Sequence, residues 1–114
     1  MKKYREVKAY KRYFFDFYEK QPDVVQKKTE WVLQLISITE QIPRKFFKHI
    51  EGTKGLYEVR IEVGSNIYRI FAFFDKGNLI ILGNAFQKKT AKTPKKEIEK
   101  AIKIMEEYSY EKYK

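Results

Sequence analysis

The sequence predicts an α+β fold in one domain spanning residues 1–114. The expected architecture is a small antiparallel sheet, a meander plus an N-terminal strand, with a helical hairpin packed on one face and a C-terminal helix. Three observations predict it. Segments rich in β-branched and aromatic residues, Leu56 to Val63, Asn66 to Phe74 and Asn78 to Phe86, follow one another with Gly64-Ser65 and Lys76-Gly77 at the joins, as in tightly turned strands. Apolar residues before and after them recur at helical spacing. A chain of 114 residues, 43% hydrophobic and 17% aromatic, also carries enough apolar surface for one packed core, which excludes general disorder.

In chain order, Tyr4 to Tyr10 alternates loosely and is expected as a first strand, followed by a short helix in which Tyr13, Phe14, Phe17 and Tyr18 share a side. Pro22 and Asp23 open a second helix, whose stripe is Val24, Val25, Lys28, Trp31, Val32, Leu35 and Ile36, ending near Glu40 before Pro43. From Pro43 to Gly55 the chain reads as a basic tethered loop with Phe46, Phe47 and Ile50 as anchors. After the meander, Thr93 as N-cap and Pro94 as first helical residue open the last helix, which presents Ile98, Ala101, Ile102, Met105 and Tyr108 on one side. The tail from Ser109 is expected to fray.

Lys and Arg number 25 against 15 Asp and Glu, a formal net charge of +10. That excess points to a polyanionic partner such as RNA, DNA or a very acidic protein. The absence of cysteine excludes disulfides, thiolate metal sites and thiol nucleophiles, and a single histidine excludes His-based metal sites and triads. No metal or other cofactor is expected. Residues 1–10 lack the apolar stretch of a signal peptide, and no window approaches the ~18 apolar residues of a membrane span, so a cytoplasmic protein is expected.

Hairpin register brings the charges into focus. A two-residue turn at Gly64-Ser65 pairs Val63 with Asn66 and sets Arg60 directly opposite Arg69. Tyr57, Val59, Ile61 and Val63 then share the helix-packed face with Tyr68, Ile70, Ala72 and Phe74. A two-residue turn at Lys76-Gly77 would place Arg69 opposite Asn84 and carry Phe86 and Lys88 to the arginine face. Facing arginines repel, so a ligand, or Glu58 and Glu62, must supply compensating charge. Arg69 interrupts the otherwise apolar Ile67, Phe71 and Phe73. The same face is expected to expose Phe71, Phe73, Ile80, Leu82 and Phe86 unless the last helix covers them. Lys88, Lys89, Lys92, Lys95, Lys96 and Lys100 form the densest basic run, placed where a helix dipole favours anions rather than cations. His49 reads as an incidental loop residue. Tyr108, Tyr110 and Tyr113 are the tyrosines that could swing toward the cations.

The segments Gly55-Leu56-Tyr57-Glu58-Val59-Arg60, Tyr68-Arg69-Ile70-Phe71, Phe86-Gln87-Lys88-Lys89-Thr90 and Lys92-Thr93-Pro94 together resemble the RelE/ParE superfamily of type II toxins, specifically its phage-derived HigB-like branch. The resemblance covers nearly the whole chain. It implies a RelE-like fold and a ribosome-dependent mRNA endonuclease that works without a metal and is silenced by a cognate antitoxin, a helix-turn-helix protein. Carried over by position, it assigns Arg60, Arg69 and Lys88 to catalysis, with Lys89 as an alternative proton donor. Lys45, Lys48, Lys54, Lys92, Lys95 and Lys96 would then contact RNA. The ParE side keeps the same fold while poisoning DNA gyrase, so gyrase inhibition and passive RNA binding stand as alternatives.

Overall fold

In the computed structural model, which describes residues 2–114, one five-stranded sheet separates two helical layers. The elements are β1 (Glu6–Ala9), α1 (Tyr13–Tyr18), α2 (Asp23–Ile38), β2 (Phe47–His49), β3 (Leu56–Val63), β4 (Asn66–Phe74), β5 (Leu79–Lys88) and α3 (Lys95–Tyr113). The sheet order is β1-β5-β4-β3-β2. The α+β class and the meander stand as expected. The sheet is mixed, however, because β1 runs parallel to β5. Residue pattern identifies a strand but not the edge it joins, and the helices between β1 and the meander let the chain return in either direction.

Residues 47–49, expected within a loop, form β2 and pair antiparallel with β3. Three residues are too few to show a period, and their exposure rises steadily along the strand, with Phe47 buried, Lys48 half-buried and His49 exposed. The expected anchors hold: Phe47 is buried, and Phe46 and Ile50 pack against the two apolar clusters.

The main core lies between α1, α2 and the sheet. It joins Phe14, Val25, Val32 and Ile36 to Val59, Ile61, Tyr68, Ile70, Ala72, Ile80 and Leu82. In α2 the buried stripe is narrower than expected. Val25, Thr29, Val32 and Ile36 face inward, and Thr29 Oγ1 donates to the Val25 carbonyl at 2.8 Å, while Val24 and Trp31 remain 58% and 51% exposed. The seven-residue stripe spans more arc than the sheet can cover.

The β3–β4 register is as expected, with Val63 opposite Asn66 and Arg60 opposite Arg69. Gly64 adopts φ +60°, the conformation a Gly-first turn requires. The next turn is longer than two residues: Phe74 pairs with Ile80, and Asp75 N–H donates to Leu79 O at 2.8 Å. That addition turns Ile80 and Leu82 toward the helical core and sets Ile81 opposite Phe73, so Ile80 and Leu82 leave the patch predicted for the other face. A bulge between Ile70 and Ala72 restores the parity. Arg69 consequently faces Phe86 rather than Asn84, and Phe86 and Lys88 reach the expected side.

Helix α3 covers half of that second face. Ala101, Ile98 and Ile102 pack on Leu56, Phe71 and Phe86, and the Tyr108 ring meets Phe73 edge-on at 5.4 Å. The helix begins one residue later than expected. Pro94 is its N-cap, with its carbonyl accepting from Glu97 N–H at 3.0 Å, because the cap is set by the carbonyl that starts the ladder rather than by the threonine side chain. The expected frayed tail is helical to Tyr113. Lys112 lies 3.2 Å from Asp75, Tyr113 OH donates to the same carboxylate, and Glu111 pairs with Lys11 at 3.1 Å. No described helix is long and apolar enough to cross a membrane.

Candidate functional site

Beyond the reach of α3, the same sheet face carries cations on four adjacent strands. Lys48 on β2 stands opposite Glu58 on β3, Arg60 opposite Arg69 on β4, and Lys88 on β5 opposite Ile67. Alternation alone puts these side chains on one side. Lys48, expected as a peripheral RNA contact, joins the stripe because β2 is a strand.

Glu58 is the compensating anion. Its Oε1 lies 3.6 Å from Arg69 Nε and 3.5 Å from Arg60 Nε, ion-pair contacts longer than hydrogen bonds. Glu62, the other expected partner, is exposed and makes no ion pair among those described. One carboxylate thus serves two guanidinium groups.

Arg69 is 2% exposed. One of its terminal nitrogens donates to the Tyr68 carbonyl at 3.2 Å, but its buried Nε has no hydrogen-bond partner. Burial lowers its pKa, Glu58 opposes that shift, and Arg60 adds to it. A guanidinium under-bonded in such a place costs stability. Arg60 is half-buried and reaches the open side. The Lys88 ammonium is also pushed below its ordinary pKa, first by burial and then by Arg69, with Glu58 opposing and Arg60 and Lys48 adding repulsion. The site is a half-shielded cationic strip with one lysine held below its ordinary pKa.

The other expected residues divide around it. Lys89 follows the end of β5 and is exposed. Lys92, Lys95 and Lys96 are exposed at the start of α3, and Lys45 and Lys54 are exposed in the segments flanking β2. They can form a rim but lie outside the compact stripe. The three tail tyrosines do not approach it. Tyr108 and Tyr113 donate to Asp75 at the opposite end of β4, and Tyr110 is 71% exposed. His49 lies on the other sheet face, edge-on to Tyr57 and 3.1 Å from the Thr53 carbonyl oxygen.

Sequence reasoning did not single out Asn84. It is 3% exposed, with its amide nitrogen 3.4 Å from the Glu97 carbonyl and its Oδ1 unpartnered. It lies in the bulged part of β5, where α3 begins to cross the sheet. Its signal was a polar residue after Gly83 in an apolar strand, but the expected facing position hid its burial.

A bulged mixed sheet, helices on both sides and a cationic strip left open by the last helix define the class, an α+β protein with one charged sheet face uncovered. The family described as Phage derived protein Gp49-like matches residues 16–106, and the chain belongs to that family. Among solved structures it is similar to a chain of the archaeal RelE-RelB complex from Pyrococcus horikoshii OT3. The TM-score is 0.58, with 22% identity over 77% of this chain and 99% of that one, a likeness of fold. No curated protein matches.

Proposed function

We propose that the chain is the toxin of a type II toxin-antitoxin system and cleaves mRNA on the ribosome. The observation that carries the reading is the Lys48–Arg60–Arg69–Lys88 strip, compensated by Glu58. Membership of the Gp49-like family and the fold shared with the RelE-RelB structure support it. The partnership in that structure also supports a cognate antitoxin here, and action on ribosomes would place the protein in the cytoplasm.

The chemistry that fits is attack of a ribose 2′-hydroxyl on its adjacent phosphate, with the hydroxyl proton passing to solvent water. The P–O5′ bond breaks, leaving a cyclic phosphate and a free 5′-hydroxyl. Arg60, on the open side, would hold two oxygens of the phosphorane. Arg69, enclosed behind it, would supply fixed positive charge in a poorly solvated place. Lys88 would protonate the leaving 5′-oxygen, a task suited to a lowered pKa. These cations supply the charge stabilisation that a metal provides elsewhere. Lys89, Lys92, Lys95 and Lys96, with Lys45 and Lys54, would hold ribosomal RNA phosphates, making binding fall with salt.

The test is a bacterial cell-free translation reaction with mRNA 5′ ends mapped in the presence and absence of ribosomes. Cuts within codons on translating ribosomes, absent with Arg60→Ala, are expected. Intact mRNA at protein concentrations that stop translation would overturn the reading.

A further inference from the structure

The outward half of the α2 stripe has no place in the core. Trp31, the chain's single tryptophan, is 51% exposed although an indole is among the most apolar side chains. Its ring meets Phe46 edge-on, with centroids 5.6 Å apart. Each ring carries a lysine: Lys28 Nζ is 4.9 Å from the Trp31 centroid and Lys45 Nζ is 5.1 Å from that of Phe46. Neither ring is buried as a core residue would be, and each has one lysine ammonium over it.

We propose that Trp31 and Phe46, with Lys28 and Lys45, form a base-stacking platform for single-stranded RNA, separate from the cationic strip. Aromatic faces accept any base, while lysines on flexible stems can move from the rings to the flanking phosphates. The charge pattern selects this occupant. One helical turn to either side of Trp31 lie Lys27, Lys28, Gln34 and Leu35, and Phe46 follows Arg44 and Lys45, none of them acidic. Glu30, next to Trp31, is engaged by Tyr18 OH. The platform also adjoins the strip around the β2 edge: Arg60 N–H donates to the Phe46 carbonyl at 2.8 Å, and Lys48 lies two residues beyond Phe46. A strand leaving the strip would turn this edge onto the other side of the sheet.

The proposal extends the RNA reading above, and its test does not depend on cleavage. A short 2′-O-methyl RNA, which cannot supply the attacking hydroxyl, is titrated against the full chain while tryptophan emission is followed. Because Trp31 is the only tryptophan, quenching reports this platform directly. Saturable quenching is expected. By anisotropy of a labelled oligonucleotide, Trp31→Ala should weaken binding by about 5- to 150-fold, the loss of one stacked base. Lys28→Ala and Lys45→Ala should lower the steepness of the salt dependence. Binding without quenching, or an unchanged affinity in Trp31→Ala with native circular dichroism, would overturn the platform. So would a Trp31→Ala variant that loses its protein antitoxin but binds RNA normally. Quenching combined with intact mRNA in translation reactions would keep the platform and reject the nuclease.

Discussion

The two ends of the sheet face that α3 partly covers treat charge in opposite ways. At the covered end, Asp75 is 4% exposed at its side chain, yet it accepts from Tyr108 OH at 2.5 Å, Tyr113 OH and Lys76 N–H at 2.6 Å, with Lys112 at 3.2 Å. At the open end, one Glu58 oxygen faces two guanidinium groups, and the buried Arg69 Nε has no partner. Arg69 lies on β4, and Asp75 directly follows that strand. A buried charge with a full complement of donors fastens α3, whereas an under-compensated cluster retains attraction for an incoming anion. The contrast separates a charge that fastens the fold from one left open to a ligand without reference to residue type.

The sharpest break of that contrast removes the apolar support between the ends. Phe71, fully buried under Ala101 and Phe86, should cost about 3–5 kcal/mol of unfolding free energy as Phe71→Ala, read from urea titration. At the open end, Arg60→Met should slow mRNA cleavage by about 100- to 1000-fold, with the unfolding free energy from urea titration changed by less than about 1 kcal/mol. Equal losses of stability and activity would erase the distinction.

Arg69→Met should lower cleavage by a smaller factor, about 10- to 100-fold, while leaving stability unchanged or raised, because it removes an under-bonded buried cation. Lys88 sharpens the comparison through pH. Its depressed pKa means that the fold binds fewer protons than the unfolded chain between that value and the ordinary ~10.4, so its contribution to stability rises with pH across that window. As the proposed general acid it must be protonated, so cleavage should fall as pH climbs through the same depressed value. Lys88→Arg should remove that alkaline limb in single-turnover rates.

The smallest expected effect is at the covered end. Tyr108 and Tyr113 hold the Asp75 carboxyl far below the ordinary carboxylate range. Its stabilisation is therefore complete above the unfolded value of ~3.9 and is lost as pH falls below it. Thermal melts from pH 2 to 7 should show this acid limb, flattened in Asp75→Asn, with cleavage by the variant at neutral pH unchanged.

Much of both ends was legible from local pattern. The 3.6-residue and two-residue periods located all three helices and the meander, and the Gly64-Ser65 turn by itself set Arg60 against Arg69. The positions of Phe86 and Lys88 were also legible, although the longer turn and the bulge each altered the register and their effects on facing cancelled. Ile80 and Leu82, lying between those two irregularities, were placed on the wrong side. β2 was too short to show a period, so the link from Lys48 to the strip was missed.

By itself the sequence determined what depends on near neighbours: element types, the β3–β4 register, the +10 charge and the placing of two arginines face to face. Tertiary structure decided what depends on distant partners. It chose the parallel edge for β1, laid α3 over one end of the second face and not the other, and gave Glu58 rather than Glu62 the task of balancing the arginines. The physical reason is range: backbone geometry is set within a few residues, whereas burial and pairing depend on segments that meet only when the chain has folded.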